Sequence, residues 1–582
     1  MGRVVVKSLP DMKQARNRTL RPSLIREEVV VPPLTKAFAE GKTYHIKTFG
    51  CQANVRDEEI MSGYLEVAGF KRASSEEAAD FVIINTCAVR ENAEEKVYGE
   101  IGKFKAHSLK DPEFTLAVCG CMMQEEGAAK KIMSSYPYVN LVFGTHNMPN
   151  LLNLLEEHLA RKKDLIDVIS FPGDIVENLP SSRLDDCKAY VNITYGCDKF
   201  CTYCIVPYTR GRERSRAKED ILKECEELVK QGYKEITLLG QNVNSYGKDF
   251  KDGTSFATIL EDVAKLGIPR LRFMTSHPWD FSDEMLEVIA KYPNIMKCIH
   301  LPVQSGNTEM LRLMGRRYSR EDYLDLVRRI REKIPGCALT TDIIVGFPNE
   351  TEEQFLDTLT LCEQVKYDAA FTFIYSPRKG TPAAAINDNV SDKDKHDRFD
   401  RLLKVVEAGV MSHSKEMVGK TYDVLVDGVS KKDAGRLSGY TESGKLVNFP
   451  GPSYLKGHIV PVKIVEDHAF SMIGELQVDP IIVLLDDAAQ KLSREEASIR
   501  FEEAMKAYRE DESVAKIRDD MEDAQKRMME CASKSDDEGY QKAKNEYMSL
   551  ADLYKKHPVV ANLAAAESEL EPLLKEVAEI LE

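Results

Sequence analysis

Three cysteines separated by three and then two residues are the most informative chemical feature of this sequence. Cys197, Cys201 and Cys204 occur in the segment Tyr-Gly-Cys-Asp-Lys-Phe-Cys-Thr-Tyr-Cys. Thiolates bind soft metals, and three of them within eight residues can converge on one metal cluster. No histidine or fourth cysteine lies close by in sequence, so a closed four-ligand zinc site is not completed locally. A cubane iron–sulfur cluster held by three thiolates would leave one iron free, which indicates chemistry rather than a structural role.

Three further cysteines, Cys51, Cys87 and Cys121, each come after an apolar run typical of a buried strand. A lone cysteine at a strand end is usually a small buried hydrophobe, but three at the same edge of one sheet could meet and hold a second cluster. Cys119 alternates with Cys121 and is expected to face the other side of its strand, so we treat it as a core residue. We name two groups, the strand-end triad (Cys51, Cys87, Cys121) and the loop triad (Cys197, Cys201, Cys204).

The elements that must position these cysteines alternate between strand and helix patterns. Residues 41–160 contain four apolar runs, each followed by a helical stretch, which indicates a small open α/β domain. Residues 161–186 are polar and contain proline, as expected of a linker. Residues 187–415 contain six strand candidates that alternate with amphipathic helices, so we expect an open partial (β/α)6 barrel with parallel strands. The six candidates are residues 190–194, 235–239, 271–275, 297–301, 339–345 and 370–375.

The flanking segments differ in character from this α/β region. Residues 1–40 are basic at first and have no apolar signal region, so we expect a flexible arm. Residues 416–479 contain β-branched runs separated by glycine turns, which is typical of a small all-β barrel. Residues 480–582 are nearly all helix formers with 3.6 periodicity, broken at 536–539 and 557–558. That pattern predicts two long helices and one shorter helix in a helical bundle.

Length, cysteine content and charge narrow the class of protein. The chain has 582 residues, 30% of them charged, and no apolar run of transmembrane length, so we expect a soluble protein with no membrane partner. Thirteen cysteines without a signal peptide indicate metal ligands in a reducing cytoplasm rather than disulfides. The net charge of −15 is uneven, because residues 481–582 carry 15 basic and 25 acidic residues. Local basic patches elsewhere can therefore still bind RNA.

A ligand pocket is predicted where the six barrel strands end, because ligands bind at the carboxyl ends of parallel strands. Gly240 would let the backbone approach a ligand closely, and Gln304 and Ser305 offer hydrogen-bond donors. The candidate pocket residues are Gly240, Gln241, Asn242, Ser276, Gln304, Ser305, Asp342 and Tyr375.

Several of these segments together resemble the radical S-adenosylmethionine (SAM) methylthiotransferases. The loop triad has the spacing of the radical SAM superfamily. Three further features resemble the methylthiotransferases: the segments around the strand-end triad, Arg-Gly-Arg-Glu-Arg-Ser-Arg at 210–216, and His-Leu-Pro-Val-Gln-Ser-Gly at 300–306. The match spans residues 44–476. Gly-Cys-Gln-Ala-Asn around Cys51 is closest to the branch that acts on N6-dimethylallyladenosine in tRNA. Gln52 distinguishes this branch from its relatives, because the threonylcarbamoyladenosine branch typically has Gly-Cys-Lys-x-Asn and the ribosomal-protein branch has Gly-Cys-x-Lys-Asn. Ala53 departs mildly from the pattern of this branch, which often has Met there.

The resemblance implies two [4Fe-4S] clusters and SAM as cofactors. The loop triad would hold the cluster that cleaves SAM to a radical, SAM would occupy the predicted pocket, and the strand-end triad would hold an auxiliary cluster that delivers sulfur. The product would be a methylthio group at C2 of N6-dimethylallyladenosine at position 37 of tRNA. An aromatic C–H has no acidity for a side-chain base to use, so no catalytic side chain is assigned. An electron donor and a sulfur donor of unknown identity are implied as partners.

RNA contact is predicted at two places. Residues 210–216 place four guanidinium groups in seven residues, and arginine binds phosphate bidentately; they could instead form a solvated face or bind the SAM carboxylate and the cluster rim. A weaker basic patch begins at Arg316. Residues 416–479 resemble a TRAM domain, an RNA-binding module. The candidate RNA contacts are Arg210, Arg212, Arg214, Arg216, Lys431, Lys432 and Arg436.

The acidic tail resembles the YlbF-type helical family, whose members form protein complexes. We expect it to contact a protein or regulate the enzyme, or else to act as a stabilising appendage. For the whole chain, the alternatives are modification of N6-threonylcarbamoyladenosine or of a ribosomal-protein aspartate, or a non-catalytic iron–sulfur protein that binds RNA or a partner.

Overall fold

The chain folds into two units, Met1–Gln477 and Val478–Glu582, in a computed structural model. The structure describes residues 3–15, 23–26, 28–88, 91–170, 175–468, 471–493 and 495–581.

A seven-stranded sheet carries the strand-end triad. The strands of this region are β1 (Val4–Ser8), β2 (Leu24–Arg26), β3 (Thr43–Thr48), β4 (Lys71–Arg72), β5 (Phe81–Thr86), β6 (Thr115–Gly120), β7 (Leu141–Phe143), β8 (Asp164–Asp167) and β9 (Ile175–Glu177). The helices are α1 (Met12–Ala15), α2 (Pro33–Ala39), α3 (Gln52–Ala68), α4 (Glu91–Lys103), α5 (Lys105–Lys110), α6 (Ala128–Ser135) and α7 (Leu151–Arg161). The order β1-β8-β7-β6-β5-β3-β4 is parallel throughout. Strands β5 and β6 are buried at every residue because both faces of the sheet are covered.

Two predicted boundaries in this region need correction. The expected arm, residues 1–40, contributes β1 to the edge of the sheet, where Val4 pairs with Asp164 and the Arg3 guanidinium contacts the Asp164 carboxylate at 2.7 Å. The expected linker, residues 161–186, contains β8 of the same sheet and β9, which pairs with β2. Short apolar segments such as Val4–Val6 have too little periodicity to show a strand, and only the sheet edge gives them partners. Part of the expected arm, residues 16–22, lies outside the described residues.

Six parallel strands form the partial barrel, and the predicted strands are confirmed. The strands of this region are β10 (Lys188–Asn192), β11 (Thr194–Tyr195), β12 (Arg214–Ser215), β13 (Glu235–Leu239), β14 (Arg270–Phe273), β15 (Cys298–His300), β16 (Ala338–Val345) and β17 (Ala369–Ile374). The helices are α8 (Val206–Thr209), α9 (Lys218–Lys230), α10 (Phe256–Ala264), α11 (Asp283–Lys291), α12 (Thr308–Leu313), α13 (Arg320–Lys333), α14 (Glu352–Val365) and α15 (Asp392–Met417). Strands β10-β13-β14 and β15-β16-β17 form two halves, joined by a parallel bridge between Leu271 and Ile295. Side-chain caps start several helices, for example Ser319 and Thr351.

A closed five-stranded barrel follows, as predicted for residues 416–479. Its strands are β18 (Thr421–Val429), β19 (Leu437–Thr441), β20 (Leu446–Phe449), β21 (Ile459–Asp467) and β22 (Met472–Leu476). Arg270, at the start of β14, donates to the carbonyl oxygens of Asp423 at 2.7 Å and Tyr440 at 2.8 Å. The small barrel therefore packs at the amino-terminal ends of the parallel strands, whereas the loop triad follows their carboxyl ends. A five-residue strand such as β10 separates these ends by about 17 Å.

The second unit contains five helices among its described residues, not the three that periodicity predicted. They are α16 (Pro480–Leu492), α17 (Glu496–Glu510), α18 (Glu512–Ser533), α19 (Asp537–Lys556) and α20 (Pro558–Leu581). Helix α18 packs on α19, and α17 packs on α20. Two breaks were missed: one lies between α16 and α17, and the other lies at Asp511, whose carboxylate caps α18 by accepting from the N–H groups of Ser513 and Val514. None of the helices that the structure describes is long and apolar enough to span a bilayer.

Candidate active site

The strand-end triad lies at the carboxyl edge of three adjacent strands. Cys51 follows β3 and caps α3, Cys87 follows β5, and Cys121 follows β6. Burial raises the pKa of the Cys121 thiol to about 12; Arg210 opposes this rise, and Cys87 and Cys51 add to it. The thiols of Cys87 and Cys51 therefore both lie near that of Cys121. Gly50 leaves room for them, because a Cβ at this residue would lie 2.8 Å from Sγ of Cys87.

The loop triad is held by backbone contacts to the segment that follows it. Gly196 turns the chain with φ +74°, and a Cβ there would lie 2.4 Å from the carbonyl oxygen of Gly211. That carbonyl accepts from the N–H of Cys197 at 3.1 Å, and Gln241 Oε1 accepts from the N–H of Gly196 at 2.5 Å. Burial raises the pKa of Cys204 to about 12, and the neighbouring Cys201 adds to this rise.

The donor chemistry of both triads suits iron–sulfur clusters, which cysteine thiolates hold in proteins. Among the described residues, no group of three or more His, Cys, Asp or Glu side chains is arranged to hold one metal ion. In a cubane cluster each thiolate binds a different iron, so the sulfur atoms do not have to converge on one point. Three thiolates for four irons would leave one iron of such a cubane without a cysteine ligand.

A cavity of 790 Å³ opens beside the loop triad and contains three of the predicted pocket residues. Its lining includes Cys204, Gln304, Asp342 and Tyr375. Gln304 has φ +73°, a conformation that costs energy for a residue with a side chain and often marks a functional site. Its N–H donates to the Asp342 carbonyl at 2.9 Å, which fixes this backbone conformation. The hydroxyl of Tyr375 is buried and has no hydrogen-bond partner in the described structure.

The remaining predicted pocket residues differ in whether other protein groups already contact their polar atoms. The Ser276 hydroxyl and the Asn242 Oδ1 atom are buried without a hydrogen-bond partner among the described residues, so each could still contact a ligand. Gly240 is required for packing, because a Cβ there would lie 2.2 Å from Thr194 Oγ1. Ser305 is fully buried, and its hydroxyl lies 3.4 Å from Thr358 Oγ1, so its contact with a ligand stays a prediction.

Gln241 and Asn242 also have structural partners that sequence reasoning did not foresee. Gln241 holds Gly196, as described above. The Nδ2 group of Asn242 donates to Ser245 Oγ at 2.6 Å and to Asp280 Oδ2 at 2.8 Å. These contacts order the ends of β13 and β14 around the loop triad.

The predicted RNA-binding face does not suit three of the four arginines at 210–216, and Arg210 instead fits the alternative of a contact at the cluster rim, since its Nε donates to Sγ of Cys121 at 3.2 Å. Arg210, Arg214 and Arg216 are buried. Arg216 pairs with Glu177 at 2.6 Å and Glu224 at 2.8 Å, so its charge is already neutralised. Arg210 pairs with Asp57 of α3 at 2.5 Å, so this segment joins the barrel to the region that contains the seven-stranded sheet. Arg212 is partly exposed, and its guanidinium pairs with Asp198.

The predicted RNA contacts of the small barrel lie on its surface. Lys431 and Lys432 are exposed between β18 and β19. Arg436 is half-buried, and its guanidinium contacts the Asp433 carboxylate at 3.2 Å.

Two buried residues near the ends of the barrel strands, Arg316 and His277, were not predicted as site residues from the sequence. Arg316, assigned to a weak basic patch, is buried; its Nη1 lies 3.8 Å from Sγ of Cys201, and its Nη2 donates to the Pro302 carbonyl. His277 follows β14, and both its ring nitrogens are buried without a hydrogen-bond partner in the described structure. Burial and, to a smaller extent, the nearby Arg316 guanidinium together lower the pKa of His277 to about 2, so the imidazole is neutral. The only sequence signal was the position of each residue near a strand end or a glycine turn.

Comparison with family models defines the class of protein. The chain matches the radical SAM superfamily over residues 191–362, the uncharacterized protein family UPF0004 over residues 43–144, and the TRAM domain over residues 415–476. Residues 484–582 match the family described as control of competence regulator ComK, YlbF/YmcA. The first unit is thus that of a radical SAM enzyme with a UPF0004 domain and a TRAM domain.

Curated relatives then identify the particular family. A tRNA-2-methylthio-N(6)-dimethylallyladenosine synthase of Bacillus cytotoxicus is 50% identical over 475 residues, which covers 81% of this chain and 93% of the relative. One from Geobacillus thermodenitrificans is 49% identical, covering 81% of this chain and 91% of the relative. The chain belongs to this family of synthases. Among solved structures, the radical SAM methyltransferase TsrM from Kitasatospora setae aligns at a TM-score of 0.44 with 14% identity, covering 59% of this chain and 77% of TsrM.

Proposed function

We propose that this protein inserts a methylthio group at C2 of N6-dimethylallyladenosine at position 37 of tRNA. The observation that carries the proposal is the presence of both cysteine triads within one folded unit, in a chain whose 50% identical relatives are named for this activity. SAM and two [4Fe-4S] clusters would supply the radical and the sulfur. The loop triad would hold the cluster that binds SAM, and the strand-end triad would hold the auxiliary cluster.

The side chains around the pocket bind and orient the cofactor. Asp342 and Gln304 offer a carboxylate and an amide to the polar groups of SAM, and the unpartnered hydroxyl of Tyr375 can donate or accept a hydrogen bond. Phe373 and Ile374 contribute apolar lining to the same cavity, which keeps water away from a reactive radical.

Transfer RNA is the substrate, and it would reach the pocket from the carboxyl ends of the barrel strands. The small barrel lies at the opposite ends of these strands, so Lys431 and Lys432 would contact a part of the tRNA distant from the modified base. A folded tRNA is long enough for both contacts. These exposed lysines would add affinity that decreases with salt, without determining sequence preference.

The second unit would contact a protein rather than RNA. Residues 481–582 have ten more acidic than basic residues, which disfavours binding to phosphate. The donors of electrons and of sulfur are also protein or small-molecule partners of this enzyme, and we assign neither to a surface.

Iron content and SAM cleavage test the assignment of the triads. Anaerobically reconstituted protein should contain about eight irons, and the variant with Cys51, Cys87 and Cys121 all changed to Ala should contain about four. That variant should still form 5′-deoxyadenosine with dithionite and SAM but should yield no methylthio product. Cys119→Ala is the matched control, because Cys119 lies on β6 two residues before Cys121 and its Sγ lies 3.8 Å from Met61 Sδ. Loss of half the iron in the control, or full iron in the triple variant, would refute the assignment.

The substrate is tested by nucleoside mass spectrometry. Transfer RNA from a strain lacking this protein should contain N6-dimethylallyladenosine without its methylthio derivative, and the intact gene should restore it. Loss of the methylthio derivative of threonylcarbamoyladenosine instead would identify the other tRNA branch.

A further inference from the structure

Two consecutive residues of the barrel contact both cysteine triads. The carbonyl oxygen of Gly211 accepts from the N–H of Cys197 at 3.1 Å, while Nε of Arg210 donates to Sγ of Cys121 at 3.2 Å. We propose that Arg210 is a positioning residue that sets the reduction potential of the auxiliary cluster and fixes that cluster relative to the loop triad. This inference rests on the proposed function, because it takes Cys121 as a cluster ligand.

The guanidinium of Arg210 is held from several directions. Its Nη2 atom donates to Asp57 Oδ2 at 2.5 Å and to Asn54 Oδ1 at 2.6 Å, both on α3. The side chain is buried, so water does not compete for these bonds. A donor fixed in this way keeps one N–H directed at Cys121 whatever the charge of the cluster.

Asn54 extends this network to the other two cysteines of the triad. Its Nδ2 group donates to the carbonyl of Phe49 at 2.7 Å and to that of Thr86 at 2.9 Å. Phe49 lies two residues before Cys51, and Thr86 lies directly before Cys87. One amide thus joins the ends of β3 and β5, and its oxygen accepts from Arg210. A shift of Arg210 would therefore disturb all three ligands together.

The expected effect on the cluster follows from electrostatics. A hydrogen bond to a ligating sulfur, and a positive charge beside it, favour the reduced cluster and raise its reduction potential. Asp57 neutralises part of the charge of Arg210, so the directed N–H bond to sulfur carries much of the effect. Lysine cannot reproduce this arrangement. A guanidinium directs separate N–H groups at Cys121 and at α3 in a fixed, planar geometry, whereas an ammonium has a single nitrogen.

The test measures the potential of the auxiliary cluster alone. The full chain with Cys197, Cys201 and Cys204 changed to Ala retains only the strand-end triad and should contain about four irons. In this background, Arg210→Gln should lower the reduction potential enough to change the ratio of reduced to oxidised cluster at least tenfold, which is about 59 mV for one electron. Arg210→Lys should shift it in the same direction. Redox titration followed by electron paramagnetic resonance measures both.

A buried arginine elsewhere in the barrel provides the control. Arg398 is buried, and its guanidinium contacts the Glu350 carboxylate at 3.0 Å. Arg398→Gln removes a comparable ion pair but no bond to sulfur, so it should leave the potential unchanged. Equal reduction potentials in Arg210→Gln and Arg398→Gln would overturn the inference. If Arg210→Gln binds no iron, an unshifted potential in Arg210→Lys would overturn it instead.

The same titration separates this inference from the proposed function. If the background variant binds no iron before any change at Arg210, the strand-end triad is not a cluster site, and the proposed function fails with it. If it holds a cluster that Arg210 does not affect, only the role of Arg210 fails. In the protein with both triads intact, Arg210→Gln should also weaken the magnetic coupling between the two reduced clusters, whereas Arg398→Gln should not; an unchanged coupling would refute the positioning role.

Discussion

Glu224 links the barrel to the seven-stranded sheet, and its replacement should destabilise the first unit by a calculable amount. Its carboxylate on α9 contacts Arg183 at 2.7 Å, Arg216 at 2.8 Å and Arg56 of α3 at 2.9 Å. Burial by itself would raise the pKa of Glu224, but Arg216, Arg56 and Arg183 together hold it at about 2. The ionised carboxylate is therefore stabilised in the folded state.

The magnitude follows from the linkage between protonation and folding. A pKa near 2 in the folded state, against the ordinary glutamate pKa of 4.5, corresponds to about 3 kcal/mol of unfolding free energy at pH 7. Because the folded-state pKa is lowered, this contribution is present above pH 4.5 and is lost as the pH falls towards 2. At pH 3 about 1 kcal/mol would remain. Glutamine resembles the protonated acid, so Glu224→Gln should lose this contribution at neutral pH.

The assay uses the single tryptophan of the chain. Trp279 lies in the first unit, so denaturant unfolding followed by its fluorescence reports on that unit alone. Glu226→Gln is the matched control, because Glu226 lies on the same helix but is exposed, and its change should cost less than about 0.5 kcal/mol. The reasoning is refuted if both variants unfold at the same denaturant concentration at pH 7. It is also refuted if the deficit of Glu224→Gln does not shrink on acidification.

Three further predictions concern the loop triad, the pocket and the second unit. Gly196→Ala should reduce iron from about eight to about four per chain, because its Cβ would lie 2.1 Å from the Arg212 carbonyl; Gly253→Ala, with nothing within 4 Å, should retain all the iron. Gln304→Ala should weaken SAM binding about tenfold in equilibrium dialysis by removing a buried polar contact, and unchanged affinity would exclude Gln304 from the pocket. Truncation after Gln477 should leave tRNA methylthiolation in vitro intact, since Met1–Gln477 is a separate unit; abolished turnover would contradict a regulatory role for the tail.

Local patterns in the sequence determined the ligands and most of the elements. The spacing of the loop triad identifies a metal-binding loop without any tertiary information, because its three thiols lie within eight residues. The strand-end triad was predictable from apolar runs, since the carboxyl ends of parallel strands must share an edge. The six barrel strands were predictable for the same reason: buried parallel strands are nearly continuous apolar runs between amphipathic helices.

Only the tertiary structure decided the roles of charged residues. Arg210 and Arg216 have the same sequence signature as a phosphate-binding patch, but carboxylates and a thiol distant in sequence pair with them when the sheet packs on the barrel. The cap at Asp511 and the edge strand Val4–Ser8 were missed for a related reason. Hydrophobic periodicity records which face of an element is buried, whereas the partner of a charge, a cap or an edge strand depends on which segments meet in three dimensions.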